Sequence, residues 1–343
     1  MTYAIMRNPR HGRVYFDGAV PEVRSLRAEV RFEDIREADI AGVPYVLFDT
    51  KEALTAQDIR LLSRISFAYA IFELRGELLL PIKRDCGYFI DEDISGILKY
   101  SGKTNELFTR LMLNLSLAHG KGTGPVRILD PMAGKGTTLF EGLMLGADVY
   151  GIEIDPKPAY EAFVYVKKHF EMAKYKHTSH TEKTSGVGAD GKKFTATRYQ
   201  VEMARTKEEQ KAGKSCRFEI IAGDTRNVSA FYKKEFFNAI ITDLPYGVQH
   251  GAKKKPHSNG NITRNALELV SEAMPGWVKV LKPGGTVALA WNLFLISREE
   301  MVKLFAANGL MVQDGQDFSH RLDQATHRDL IIGVNYTVKS GAL

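Results

Sequence analysis

With 343 residues, 44% of them apolar and 26% charged, the chain is long enough for two domains and has the composition of a globular protein. It contains no run of about 18 uncharged apolar residues, which excludes a membrane-spanning helix. Two distant cysteines, Cys86 and Cys216, exclude a disulfide framework and a cysteine-rich zinc site, while the net charge of +6 leans toward a polyanionic partner.

The opening segment lacks the order of charged, apolar and small residues of a signal peptide, so a reducing, cytoplasmic setting is expected. Residues 1–95 predict a small α+β domain. Ala28 to Phe32 alternates and Val43 to Phe48 is a short apolar run, so both predict strands. Leu54 to Phe67 has helical spacing, with Arg60 and Arg64 one i,i+4 step apart. Arg7, Arg10, His11, Arg13, Arg60 and Arg64 could hold an anionic substrate, or simply form a solvated basic surface. A second helix is predicted from Asn105 to His119, capped by Thr104 or Asn105. The nearby Gly102-Lys-Thr104 lacks a feeding strand and an earlier glycine, so it is not a phosphate-binding loop.

From Val126 the pattern changes to alternating strands and helices. Ile128 to Leu139 reads as a buried strand, a tight turn carrying Gly134 and Gly136, and a helix start. Asp148 to Ile154 is the next strand and Lys157 to Met172 the next helix, making a βαβ unit whose strands should be parallel. Residues 173 to about 216, rich in Lys, Thr, Ser and Gly, predict a mobile insertion with a short strand over Phe194 to Val201. His177 and His180 lie there without a third ligand, which favours surface histidines over a metal site. Further strands are predicted over Phe218–Ala222, Asn238–Thr242 and Thr286–Trp291, the last after a turn at Lys282-Pro-Gly-Gly285. Helices are predicted over Arg264–Leu281 and Glu299–Asn308, and a terminal strand pair over Met311–His320 and Asp329–Val338. Asp323 and His327 have no nucleophilic partner, so no hydrolase triad is seen.

Ligands in such folds sit at the carboxyl ends of the strands. Four predicted strand ends carry acids in order: Asp130, Glu153, Asp224 and Asp243. Glu153 can accept two hydrogen bonds from a ribose diol, and Asp224 one from an adenine amino group. An acidic lining argues against a pyrophosphate, and the third glycine of the dinucleotide fingerprint is missing.

Asp130-Pro-Met-Ala-Gly-Lys-Gly-Thr137, Gly151-Ile-Glu-Ile-Asp-Pro156 and Thr242-Asp-Leu-Pro-Tyr-Gly247 together resemble class I S-adenosylmethionine methyltransferases. Within these, roughly Tyr100 to Val338 resembles the RNA methylase family that includes the THUMP-associated tRNA guanosine N2-methyltransferases. The resemblance implies a Rossmann-like α/β sheet, mostly parallel with an antiparallel terminal strand, over residues 96–343, preceded by the small α+β domain, in which no THUMP signature is recognised. It implies S-adenosylmethionine held by Asp130, Pro131, Ala133, Gly134, Gly136 and Thr137 at the methionyl part, by Glu153 and Ile154 at the ribose, and by Asp224 and Thr225 at the adenine, with no metal. Asp243, Leu244, Pro245 and Tyr246 resemble the motif by which amino-group methyltransferases grip an exocyclic NH2, with Leu244 in place of the first proline. RNA is the implied partner, tRNA first and rRNA second, with guanine N2 the favoured acceptor. A DNA or protein amino-group methyltransferase and a non-catalytic, cofactor-sensing RNA-binding protein are the alternatives. Lys135 could face solvent.

Overall fold

The computed structural model describes residues 1–9, 19–26, 30–96, 105–120, 124–188, 191–244, 266–313 and 318–336. The chain begins with β1 (Thr2–Arg7), α1 (Ala19–Ser25), β2 (Glu33–Ile40), β3 (Val43–Asp49), α2 (Ala56–Ser63), β4 (Ala68–Arg75) and β5 (Leu78–Ile82). The five strands form an antiparallel sheet in the order β2-β3-β1-β4-β5. One face buries Tyr3, Ile5, Val46, Phe48 and Ile71 against Val23, Leu62 and Ile65. Thr55 and Asp58 cap α2 reciprocally, which ties the first turn to its own side chains. Of the strand expected over Ala28 to Phe32, Ala28 and Glu29 lie outside the described residues and the rest is corrected, since pairing begins at Glu33. Val30 and Phe32 alternate because they are buried, Phe32 edge-on to Phe48 at 4.8 Å, and not because they join the sheet.

There follow α3 (Asp93–Gly96), α4 (Glu106–His119), β6 (Arg127–Asp130), α5 (Thr137–Met144), β7 (Asp148–Glu153), α6 (Pro156–Met172), β8 (Lys176–Val187), β9 (Lys193–Ala204), α7 (Lys207–Lys211), β10 (Cys216–Ala222), α8 (Val228–Phe231), β11 (Phe237–Asp243), α9 (Ala266–Val280), β12 (Leu281–Asn292), α10 (Arg298–Ala307), β13 (Leu310–Val312), β14 (His320–Arg321) and β15 (His327–Asn335). Among the described residues they build a ten-stranded sheet, ordered β13-β15-β12-β11-β6-β7-β10-β9-β8, with β14 on β15. β10, β7, β6, β11 and β12 are parallel and β15 is antiparallel. The glycine turn after β6 thus lies at the middle of the sheet, where the strand order reverses, the usual place for a ligand in an open α/β sheet.

Three expectations need correction. Residues 173 to about 216 are no loose excursion, since β8 and β9 form a long hairpin that continues the sheet beyond β10. Val201 and Met203 bury the inner side of β9 in the core with Phe163 and Phe170, while β8 is mostly exposed and polar and so carries no apolar period to betray it. Lys282 to Gly285 is a bulge inside β12 and not a turn before it: Leu281 pairs with Phe237 and Thr286 already with Ala239. A Cβ on Gly285 would lie 2.8 Å from the Asn238 carbonyl, so only glycine fits there. The strand expected over Met311 to His320 is broken into β13 and β14.

Glu22 joins the small sheet to the large one. It is fully buried, accepting from the Ser66 N–H (2.9 Å), the Ser66 hydroxyl (2.6 Å) and Asn114 Nδ2 of α4 (2.7 Å). Burial pushes its carboxyl up, against the pull of these donors. Glu22→Ala takes the acceptor from the two buried Ser66 donors and from Asn114, and is expected to cost about 2–3 kcal/mol of unfolding free energy in urea melts, against less than half of that for Glu22→Gln. An unchanged midpoint would remove Glu22 as the tie.

Candidate active site

The chain turns sharply after β6 because Gly134 (φ 52°) and Gly136 (φ 91°) adopt left-handed conformations. Among the described residues, apart from its own chain neighbours, nothing lies within 4 Å of the position a Cβ on Gly134 would take. The backbone is therefore open to a ligand there. Gly136 begins α5 in the left-handed conformation and, being glycine, brings no side-chain cap to the helix N-terminus at the rim. Pro131, Ala133 and Thr137 are buried parts of the same turn. Gly151 of β7 supports it from below, for a Cβ there would meet Ala133 Cβ at 2.9 Å and Leu139 Cδ1 at 2.8 Å.

The acids gather along this rim. Asp130 is buried at the end of β6 and accepts from the Met132 N–H at 3.1 Å. Burial pushes its carboxyl up to about 6, with Asp243 adding to the rise and the Thr138 hydroxyl opposing it. A carboxyl whose pKa is higher in the folded than in the unfolded chain takes its proton first in the folded state. Stability from this group therefore rises as pH falls from about 6 toward 4, by about 3 kcal/mol at most. Urea melts of the wild type and Asp130→Asn over that range should diverge accordingly; parallel pH profiles would contradict the buried carboxylate.

Glu153 closes the turn. Its carboxylate accepts from the Gly134 N–H (2.8 Å) and the Asp155 N–H (2.9 Å), and burial raises its pKa. Ile154 follows it, 66% exposed on the rim. Asp155 caps α6 through the Lys157 N–H, ahead of Pro156. Asp224 accepts from the Arg226 N–H (2.9 Å) and is paired with the Arg226 guanidinium at 2.6 Å, so its carboxylate is already partly engaged. Thr225 turns inward, its hydroxyl accepting from the Trp277 indole at 2.9 Å, and can offer the rim only its backbone.

Asp243 ends β11 next to β6, with its side chain 10% exposed and 3.5 Å from Arg328 Nη2. Arg328 is buried at the start of β15, its guanidinium 4.4 Å from the centre of the Phe108 ring of α4. This arginine was not singled out in the sequence: it lies 85 residues beyond Asp243, with no local motif to mark it. Leu244 is buried, and its N–H donates to the Ala290 carbonyl at 2.8 Å. A proline has no such N–H. The leucine thus extends the β11–β12 ladder by one bond that the expected proline could not make. Pro245 and Tyr246 lie outside the described residues, as do Arg10, His11 and Arg13.

The basic stripe of α2 is not a free surface. Arg60 pairs with Asp85 at 3.2 Å, and Arg64 donates to the Cys86 (2.6 Å) and Gly87 (3.1 Å) carbonyls, so both hold the segment after β5. Arg7 lies 3.8 Å from Glu37. Lys135 does not simply face solvent; it reaches Glu161 of α6 at 2.7 Å. His177 packs on Phe170 and His180 lies beside Glu182, on a hairpin remote in sequence from the acids.

Residues 100–289 match the family model described as UPF0020: RMKL-like, methyltransferase domain. No curated protein matches the chain in sequence. Among solved structures, TrmN from Thermus thermophilus is similar at 12% identity and TM-score 0.48, covering 98% of this chain and 100% of that one. An rRNA methylase from Streptococcus thermophilus is similar at 11% identity and TM-score 0.32, covering 62% of this chain and 87% of that one.

Proposed function

The chain belongs to the RMKL-like methyltransferase domain family, and we propose that it moves a methyl group from S-adenosylmethionine to an exocyclic amino group of structured RNA, guanine N2 of tRNA first and rRNA second. The observation that carries this reading is the row of carboxylates at consecutive strand ends around an open glycine turn: Asp130, Glu153, Asp224 and Asp243. Such a rim suits a cationic, phosphate-free adenosine, and the exposed Ile154 offers a flat apolar surface beside it.

When bound, S-adenosylmethionine supplies an electrophilic methyl group. In this reading Glu153 accepts the ribose hydroxyls, while Asp224 and the Thr225 backbone meet the adenine edge. Asp130, Pro131, Ala133, Gly134, Gly136 and Thr137 shape the methionyl end. Asp243 accepts a hydrogen bond from the amino group of the base, and the Leu244 carbonyl accepts the second. These two bonds direct the nitrogen lone pair at the methyl group, so positioning supplies much of the rate. Pro245 and Tyr246 follow, with Tyr246 suited to stack on the base once it is unstacked from its neighbours. The Leu244 N–H bond to β12 holds the peptide leading into Leu244 at the strand end, which supports a catalytic reading despite the missing proline. A reducing cytoplasmic setting fits two free thiols.

Methyl incorporation from labelled S-adenosylmethionine into RNA and DNA from cells lacking the gene, followed by nucleoside analysis, tests the proposal. Labelled N2-methylguanosine is expected. N6-methyladenine in DNA, with no methylguanosine in RNA, would overturn the RNA assignment.

A further inference from the structure

Phe294 and Leu295 are 57% and 53% exposed, and they sit on the same rim as Asp243. Single exposed apolar residues are ordinary; the setting of this pair is not. Asp243 lies opposite Ala290 of β12, two residues before Asn292. Asn292 in turn pairs with Arg328, the arginine that meets Asp243. Strand rise and spacing put the Asn292 backbone about 8 Å from that of Asp243, a reach comparable to one extended nucleotide. Beyond it, the turn bearing Phe294 is held from several sides. Buried Asn292 accepts from the Phe294 N–H (3.2 Å) and the His327 N–H (3.1 Å) and donates to the Ala325 carbonyl (3.0 Å). The Leu293 N–H donates to the His327 carbonyl at 2.7 Å, and the Trp291 indole to the Ile296 carbonyl at 2.8 Å. The His327 ring stands edge-on to Phe294 at 5.9 Å. The outcome is an aromatic face held out to solvent on a rigid turn, with little left to order on binding.

We propose that Phe294 is a substrate-positioning residue: it stacks on the nucleotide next to the target base, so that the enzyme takes RNA unpaired at two consecutive positions. This rests on the methyltransferase reading above. A base presents an apolar face whatever its identity, so the contact favours single-stranded geometry over sequence. The target base itself is left to Asp243 and the residues that follow it.

The test is steady-state methylation of tRNA from cells lacking the gene by the full chain and its Phe294→Ala, Phe294→Trp and Phe294→Leu variants. Affinity for S-adenosylmethionine is measured alongside by equilibrium dialysis. Phe294→Ala is expected to raise KM for RNA about ten-fold, within the range of one base–aromatic stack, with kcat and cofactor affinity within about two-fold. Phe294→Trp should restore KM and Phe294→Leu should not, because a leucine keeps the apolar contact but lacks the ring. Wild-type turnover on RNA with an unchanged KM for Phe294→Ala overturns this inference alone. Absence of wild-type turnover on RNA overturns the functional reading and the inference with it. A dimer that dissociates in Phe294→Ala at unchanged KM assigns the patch to a second copy of the chain and also overturns it.

Discussion

Asp243→Ala is expected to lower kcat for methyl transfer by about 10²–10³-fold while leaving the affinity for S-adenosylmethionine within about three-fold. The magnitude is that of removing one preorganised polar group from a reacting centre. Affinity survives because the groups assigned to the cofactor lie on other strand ends, β6, β7 and the turn after β10. Stability should fall as well, since Arg328 is buried and loses the carboxylate 3.5 Å away. Asp243→Asn separates the two effects: it keeps an acceptor for the amino group and should recover part of kcat, yet it still deprives Arg328 of its counter-charge. Single-turnover rates with saturating cofactor measure the first effect, and thermal melts the second. A kcat for Asp243→Ala within ten-fold of the wild type would sink the assignment of this carboxylate to the acceptor amino group.

Glu153→Ala should weaken S-adenosylmethionine binding by about 10²–10³-fold, read by calorimetric titration. Two hydrogen bonds from a ribose diol to a carboxylate, at about 1.5–2 kcal/mol each, the lower end for charged acceptors, account for that range. The same carboxylate also accepts from the Gly134 N–H at 2.8 Å, so its loss loosens the turn that faces the methionyl end. Glu153→Gln keeps an acceptor oxygen and should fall between the two. Once cofactor is saturating, kcat should recover in both variants, which distinguishes a binding residue from one that acts on the acceptor. A dissociation constant for Glu153→Ala within ten-fold of the wild type would place the ribose elsewhere.

The central elements were legible because their signals are local. The buried run to Leu129, the two glycines and the following helical spacing predict strand, turn and helix within a dozen residues, and β6, the Gly134–Gly136 turn and α5 are found there. Strand-end acids are legible for the same reason, since each terminates its own apolar run. Of the hairpin β8–β9, the strand expected over Phe194–Val201 lies within β9, whereas β8 was not legible because an exposed edge strand needs no apolar period. What holds it is its backbone ladder with β9 and the burial of the partner strand.

The sequence by itself determined that Asp130, Glu153 and Asp243 end β6, β7 and β11 and that Asp224 follows β10, and with them the chemistry offered along the rim, because turn conformation and hydrophobic period depend on near neighbours. Only the tertiary structure decided what those residues meet. β15 enters the sheet antiparallel beside β12 and brings Arg328 to Asp243 and His327 to Phe294. The β11–β12 pairing gives Leu244 an N–H bond where proline was expected, and the segment after β5 engages Arg60 and Arg64, which a helical stripe alone would leave to solvent. Such contacts depend on strand order and register, which place side by side residues whose separation along the chain leaves no periodic trace.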